Sequence, residues 1–329
     1  MRLITPRAAR ALLAGATVLA AAACGQTASP TANTTAAAQA TAQPLATPVE
    51  VSNCGATYRF ERPPRRVVTS STIATEIVLA LGARDRLAGT VAPGELLPEV
   101  APAFEGVNII AKSAFPPPSK ETVFAADPDF VVSGYGDDYG PKALGDRAQL
   151  RKEGVNSYLL SGNCPGHKAT VEDTYTDIRE LGRVLGAQTT AEDLVSKLAA
   201  EVEAVKPVSG TPKVFDYAGG LEKPSTAGSN GLIDDLIRRA GGENIFPEVT
   251  SYAQISWEEL VKRDPDAIVV EDQAFEPADK AIAFLTSYEP IKDVTAIKEK
   301  RFIVIPVNDT QPGLRNGRAL KTLVAGLAK

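Results

Sequence analysis

The chain has 329 residues, 44% of them hydrophobic and 23% charged, with 40 acidic against 35 basic side chains and a formal charge of −5. That length supports one or two domains with real cores, and an acidic balance without a Lys/Arg cluster argues against nucleic acid as a partner. A single histidine, His167, excludes the several imidazoles that a carrier of free Zn²⁺ or Mn²⁺ normally presents, so no protein-built metal site or cofactor is expected.

At the amino end Arg2, Arg7 and Arg10 precede an uncharged run from Ala11 to Ala23. Residues 1–23 read as a secretory signal, too short for a permanent membrane span. The approach AAAACG resembles a bacterial lipoprotein cleavage site, with Ala21 where Leu is usual, and makes Cys24 the lipidated first residue of the mature chain. Without the three signal arginines the charge is −8. Residues 24–50 are rich in Thr, Ala, Pro and Gln; they bury too little to offset chain entropy and are expected to form a disordered tether. Anchor, tether and body together imply a protein held on the outer face of a membrane. The remaining cysteines, Cys54 and Cys164, are favoured to pair in an oxidising compartment, with two free thiols as the alternative. A bond between them closes a loop of 110 residues (164 − 54) and is worth roughly 4 to 5 kcal/mol in the chain-entropy model.

From there the pattern alternates. Arg66 to Thr69 reads as a first strand, and SSTIATEIVLALG as a loop and a helix with apolar Ile77, Val78 and Leu81 and a stop at Gly82. FVVSGYG, VNSYLLSG, KVFDYAGG, AIVVEDQ and RFIVIPVND are further strands ending in Gly, Ser, Asn or Asp, with amphipathic helical segments between them. Strands alternating with helices imply α/β units on mostly parallel sheets, with functional loops at the strands' carboxyl ends. Midway, TTAEDLVSKLAAEVEAVKPVSG carries apolar Leu194, Leu198, Val202 and Val205, opened by Thr190 with Asp193 and closed by Pro207 and Gly210. This predicts a linker helix over 189–209 between an amino-terminal lobe, 51–188, and a carboxyl-terminal lobe, 210–329.

Each side of that helix holds one copy of a repeated phrase: SKETVFAADPDFVV from Ser119 and SWEELVKRDPDAIVV from Ser256, offset by 137 residues (256 − 119). Ser119 and Ser256 suit helix N-caps, with Glu259 completing a capping box in the second copy where the first has Thr122. Glu121 and Glu258 fall at the second helical position, where a carboxylate meets the positive end of the helix dipole. Asp-Pro then ends the helix before an apolar strand. Capping, helix stop and strand explain every residue type; they do not explain matched spacing on both sides of a linker.

Together PPRRVVTSSTIATEIVLALGARDRLAGT, SKETVFAADPDFVV, GGENIF and SWEELVKRDPDAIVV resemble the solute-binding proteins of ABC importers for iron-siderophores, haem and vitamin B12, over essentially all of residues 54–329. The resemblance implies the class III periplasmic-binding-protein fold: two α/β lobes joined by one long rigid helix, with the ligand between them and only slight closure. It also implies a monomer that docks on a permease dimer through one glutamate per lobe, and by motif position these are Glu121 and Glu258. A two-lobed protein facing a two-fold permease needs an equivalent contact on each lobe. Exposed ion pairs worth ~0.2 to 1 kcal/mol each suit a complex that must release.

The same resemblance places the pocket in the loops at the lobe interface. Those loops offer Ser71, Thr72, Tyr135, Tyr139, Tyr217, Asp272 and Arg315, with Arg315 as a fixed cation for carboxylate, phosphate or catecholate oxygens. Trp257, beside Glu258, is open between ligand, packing and permease. A chelated metal needs no protein ligands, so the expected function is capture of a metal chelate, first an iron-siderophore, and delivery to the permease. Cobalamin, haem or a deazaflavin (F420-type) precursor remain alternatives. An envelope protein that binds such a ligand without any permease keeps the fold and loses the role of the two glutamates. An extracytoplasmic hydrolase is the remote alternative: the chain has no Gly-x-Ser-x-Gly, no His-Glu-x-x-His and no phosphate loop, so no enzyme is expected.

Overall fold

The computed structural model describes residues 48–91 and 93–329. The expected signal, Cys24 and the tether through residue 47 lie outside them. The first described element is an antiparallel hairpin of β1 (Val49–Asn53) and β2 (Ala56–Phe60). Cys54 and Gly55 make its two-residue turn, both with positive φ, which matches the twist of the paired strands.

The amino-terminal lobe then adds β3 (Val67–Thr69), α1 (Thr72–Ala80), β4 (Leu87–Val91), β5 (Ile109–Ala111), α2 (Lys120–Phe124), β6 (Phe130–Ser133), α3 (Arg147–Lys152) and β7 (Asn156–Leu159). Its five strands are all parallel, in the order β5-β4-β3-β6-β7. Alternate residues of one strand serve opposite faces: Val67 joins the core under α1 while Val68 joins the one around Leu150 and Val155.

Two helices follow, α4 (Val171–Leu185) and α5 (Gln188–Glu203). Gly186, at φ 73°, ends α4 in the left-handed conformation that favours glycine. Gly182 lets the helices touch, since a Cβ there would lie 2.4 Å from Ala191 Cβ. Helix α5 packs against both cores, Ala191, Val195 and Leu198 in the amino-terminal one and Val202 in the carboxyl-terminal one. It starts at Gln188 without a side-chain cap and ends at Glu203. The predicted Thr190–Asp193 opening is therefore inside the helix, and the stop comes before Pro207. Helix α4 runs back alongside it, with Val171 in the carboxyl-terminal core and Ile178 to Leu185 in the amino-terminal one.

The carboxyl-terminal lobe contains β8 (Lys213–Tyr217), β9 (Ser225–Thr226), α6 (Leu232–Arg239), β10 (Glu243–Asn244), β11 (Ala253–Gln254), α7 (Trp257–Arg263), β12 (Ala267–Asp272), α8 (Ala278–Ser287), α9 (Thr295–Lys298), β13 (Phe302–Pro306) and α10 (Asn316–Leu327). Its main sheet is parallel in the order β10-β8-β12-β13, with β9 and β11 as a small antiparallel pair.

The repeated phrase occupies the same place in both lobes: α2 leads into β6 and α7 into β12, each strand internal to its sheet. Its Asp-Pro-Asp is architectural. Asp127 and Asp264 turn the chain at φ 50° and 45°, and the second Asp closes the amino end of the neighbouring strand. Asp129 accepts the Arg65 and Arg66 amides, each at 2.9 Å, and Asp266 accepts the Lys213 amide at 2.7 Å.

The lobes are fastened by the segment between β13 and α10. Asp309 to Ala319 are almost entirely buried, Pro312 packs against Gly162, and Gly313 lies against Ile73 of α1. At its centre Arg315 donates to the Glu76 carboxylate in fork fashion (Nε to Oε2 2.9 Å) and to the Glu95 carbonyl at 2.5 Å. Cys54 and Cys164 are bonded, with Cα atoms 5.3 Å apart, tying the first hairpin to the loop that leads into α4.

Candidate ligand cleft

In an open parallel sheet the crevice lies where strand order reverses, at the carboxyl ends of the strands. Those points fall between β3 and β6 in one lobe and between β8 and β12 in the other. The residues that leave these strands form the two walls. Tyr135, just after β6, is half-buried, and burial, with the charges of Asp138 and of Glu271 from the other lobe, pushes its phenol up to about 12. On the opposite wall the Tyr252 hydroxyl receives a hydrogen bond from Gln311 Nε2 at 3.0 Å and faces Glu271 Oε1 at 3.4 Å. A cavity of about 160 Å³ adjoins it, bounded by Gly162–His167 of one lobe and by Asn230 and Thr250–Tyr252 of the other.

Both walls are acidic beneath their hydroxyls. Asp138 accepts from the Ser70 and Ser133 hydroxyls at 2.5 and 2.9 Å, and burial still raises its pKa. Strand alternation puts Asp216 and Glu271 on the same face of β8 and β12, above Val214 and Val269. Thr310 donates to Glu271 at 2.9 Å; burial, then the neighbouring Asp216 charge, holds the Glu271 carboxyl well above its ordinary range. Burial pushes Asp216 up to about 7 against one helping donor, the Ala227 amide. Among the described residues no Lys or Arg pairs with Asp138, Asp216 or Glu271.

Of the expected pocket residues, Tyr135 lies close enough to Glu271 of the other lobe to feel its charge. Ser71 is the buried N-cap of α1, and the buried Thr72 accepts the Gly94 amide at 2.9 Å. The others have partners within the protein. Arg315 is not a free cation: 5% exposed, it is neutralised by Glu76 with Asp309 at 3.4 Å. Trp257 is core, stacked near Tyr217 and tilted against Phe284 and Tyr288, its indole N–H bonded to the Glu222 carbonyl. Tyr217 is buried with its hydroxyl donated to Glu276. Tyr139 donates to the Tyr158 carbonyl and stacks under Arg147. Asp272 accepts the Ala278 amide at the start of α8. Sequence reading missed Tyr252, Gln311 and Glu271; the lone aromatic in the polar loop VTSYAQ was the available signal for the first.

The sequence from residue 67 to 308 matches the Periplasmic binding protein family. The chain belongs to the periplasmic binding protein family. That makes it a binding protein rather than an enzyme. A cobalamin-binding protein of Halobacterium salinarum is 28% identical over 276 residues, 82% of this chain and 70% of that protein. The fold is shared with a periplasmic binding protein of Veillonella parvula (TM-score 0.75, 24% identity, covering 85% of this chain and 97% of that one). It is shared equally with a protein of an ABC-type Fe³⁺-hydroxamate transport system from Saccharomonospora viridis (TM-score 0.73, 21% identity, 86% and 99%).

In this family member Glu121 and Glu258 stand exposed at the starts of α2 and α7, and neither is in an ion pair among the described residues. Ser119 and Ser256 cap the helices by accepting the Thr122 and Glu259 amides at 3.3 and 3.2 Å. The expected capping box in the second copy is only half formed, because the Glu259 carboxylate turns to Lys262 and Arg263. Bonds from its own amide and from the Ser256 hydroxyl hold the Glu258 carboxyl below its ordinary range. A larger groove, about 570 Å³, runs along Arg59–Pro64 with Asp129 and Asn156. It lies at the amino ends of β6 and β7, away from the cleft. No helix among the described residues is long and apolar enough to cross a membrane.

Proposed function

We propose that the protein is an extracytoplasmic, Cys24-anchored solute-binding protein that takes a metal chelate between its lobes and hands it to an ABC importer, docking through Glu121 and Glu258. A single observation carries this: hydroxyl, amide and aromatic groups from both lobes, Tyr135, Tyr252, Thr310 and Gln311, meet at the cleft, where the one cysteine is spent in a disulfide and the one histidine is held by Asp173. Such walls hold a ligand that brings its own metal ligands. They suit a ferric hydroxamate better than a catecholate anion or a haem with two propionates, whose charge would meet Asp138 and Glu271 unpaired. Cobalamin is the second reading, favoured by the 28%-identical relative named for it. Native mass spectrometry of residues 48–329 with ferric hydroxamates, cobalamins, haem and a ferric catecholate tests this. A retained one-to-one complex with a hydroxamate or a cobalamin is expected; retention of haem or the catecholate alone would refute it.

A further inference from the structure

We propose that Asp216 and Glu271 form a charge-selective subsite at the floor of the cleft, so that the protein prefers a ligand carrying a positive charge over its neutral counterpart. This rests on the cleft being the ligand site. Two carboxyls sit on one face of adjacent strands at the point where strand order reverses, 0% and 2% exposed. One oxygen of the first, Asp216 Oδ1, and the hydroxyl of Thr226, also fully buried, have no hydrogen-bond partner. Thr226 precedes Ala227, whose amide holds the other Asp216 oxygen at 3.0 Å, so the unpartnered atoms belong to one small region.

The groups facing the pair are the Ala227 amide, the Thr310 and Tyr252 hydroxyls and the Gln273 amide, with Tyr135 and Asp138 across the cleft. All are neutral or acidic. Buried acids are ordinarily matched by a cation or by several donors; elsewhere in this chain Asp309 has Arg315 and Arg318, and Asp234 and Asp235 have Arg238 and Arg239. Glu271 has donors but no cation, and Asp216 has one donor and an oxygen left without a partner, so the pair can take a matching charge from a ligand. Because burial already places Asp216 near neutrality, a cation arriving over Tyr252 would draw a proton off the pair, and affinity for it should rise with pH. A positive charge about 8 Å away at an effective dielectric near 20 gains enough for a tenfold or greater preference.

Two probe pairs of matched shape test this on the soluble body: ferrioxamine B, cationic through its free ammonium, against its neutral N-acetyl derivative, and aquocobalamin against neutral cyanocobalamin. In whichever pair binds, the cationic member should bind about tenfold tighter near pH 7.5. For the ferrioxamine pair, where the probe charge is constant, the preference should shrink to about twofold near pH 5.5 as the pair takes up protons. Glu271→Gln and Asp216→Asn, which keep shape and the Thr310 and Ala227 hydrogen bonds, should each erase most of it while sparing the neutral probe. Equal, pH-independent affinity for both members overturns the subsite and leaves the ligand cleft standing. Failure of all four probes to bind overturns the reading beneath it.

Discussion

Replacing Arg315 with Met should be among the most damaging single changes in the molecule. The guanidinium spans the lobes, 5% exposed, against Glu76 at 0%. Its loss leaves the Glu76 carboxylate with the Leu97 amide at 2.7 Å as its one remaining donor, whereas Asp309 keeps both bonds from Arg318 at 2.7 Å. Stranding one buried charge of this kind costs roughly 3 to 5 kcal/mol, which for a body of this size lowers Tm by on the order of 10 °C. Glu76→Gln should cost about half as much, since Arg315 retains Asp309 and the Glu95 carbonyl. A double variant, Glu76→Leu with Arg315→Met, should recover to within about 2 kcal/mol of the parent, because an apolar pair of similar volume carries no desolvation penalty. Urea unfolding of the four proteins measures all of this. An Arg315→Met loss below about 1 kcal/mol, or a double variant no more stable than Arg315→Met alone, would refute the latch.

Replacing Glu121 and Glu258 together with Ala should abolish uptake in cells while leaving ligand affinity and Tm unchanged, since both side chains are exposed and unpaired; unimpaired transport would remove their role. Cys54→Ser with Cys164→Ser should destabilise the body by up to about 4 to 5 kcal/mol, read from unfolding under non-reducing conditions. Asp216→Asn should gain on the parent as pH rises. The Asp216 pKa is raised from 3.8 to about 7, so the native state tolerates it fully below about 4 and bears an ionised buried carboxyl above 7. The gain approaches at most about 4 kcal/mol; a pH-independent difference would contradict it. Gly182→Leu should cost roughly 1 to 3 kcal/mol or more by forcing α4 from Ala191.

Local chemistry made much of the fold legible. Ser caps, Asp-Pro stops and apolar runs mark both copies of the repeat, and each copy feeds an internal strand. The hairpin at Val49–Phe60 escaped because its turn is Cys-Gly rather than Asn-Gly, although the alternation in VEVSNCGATYRF was present. Site residues were harder to read because pairing decides them. Arg315 lies 239 residues from Glu76, and no local pattern reveals that its charge is spent. Asp272 and Glu271 differ by one position on β12, and in a strand one step reverses the face: Glu271 turns to Thr310 and Tyr252, Asp272 to the start of α8. Trp257 and Tyr217 look like a binding surface in sequence and form a core because α7 and α8 close over them.

The location of the ligand is the point on which the account depends most. Hydrogen exchange of the soluble body, with and without the chelate that native mass spectrometry retains, should show protection of Gly134–Gly140 in one lobe together with Thr250–Gln254 and Thr310–Gln311 in the other. Protection confined to one lobe, or centred on the Arg59–Pro64 groove, would contradict it.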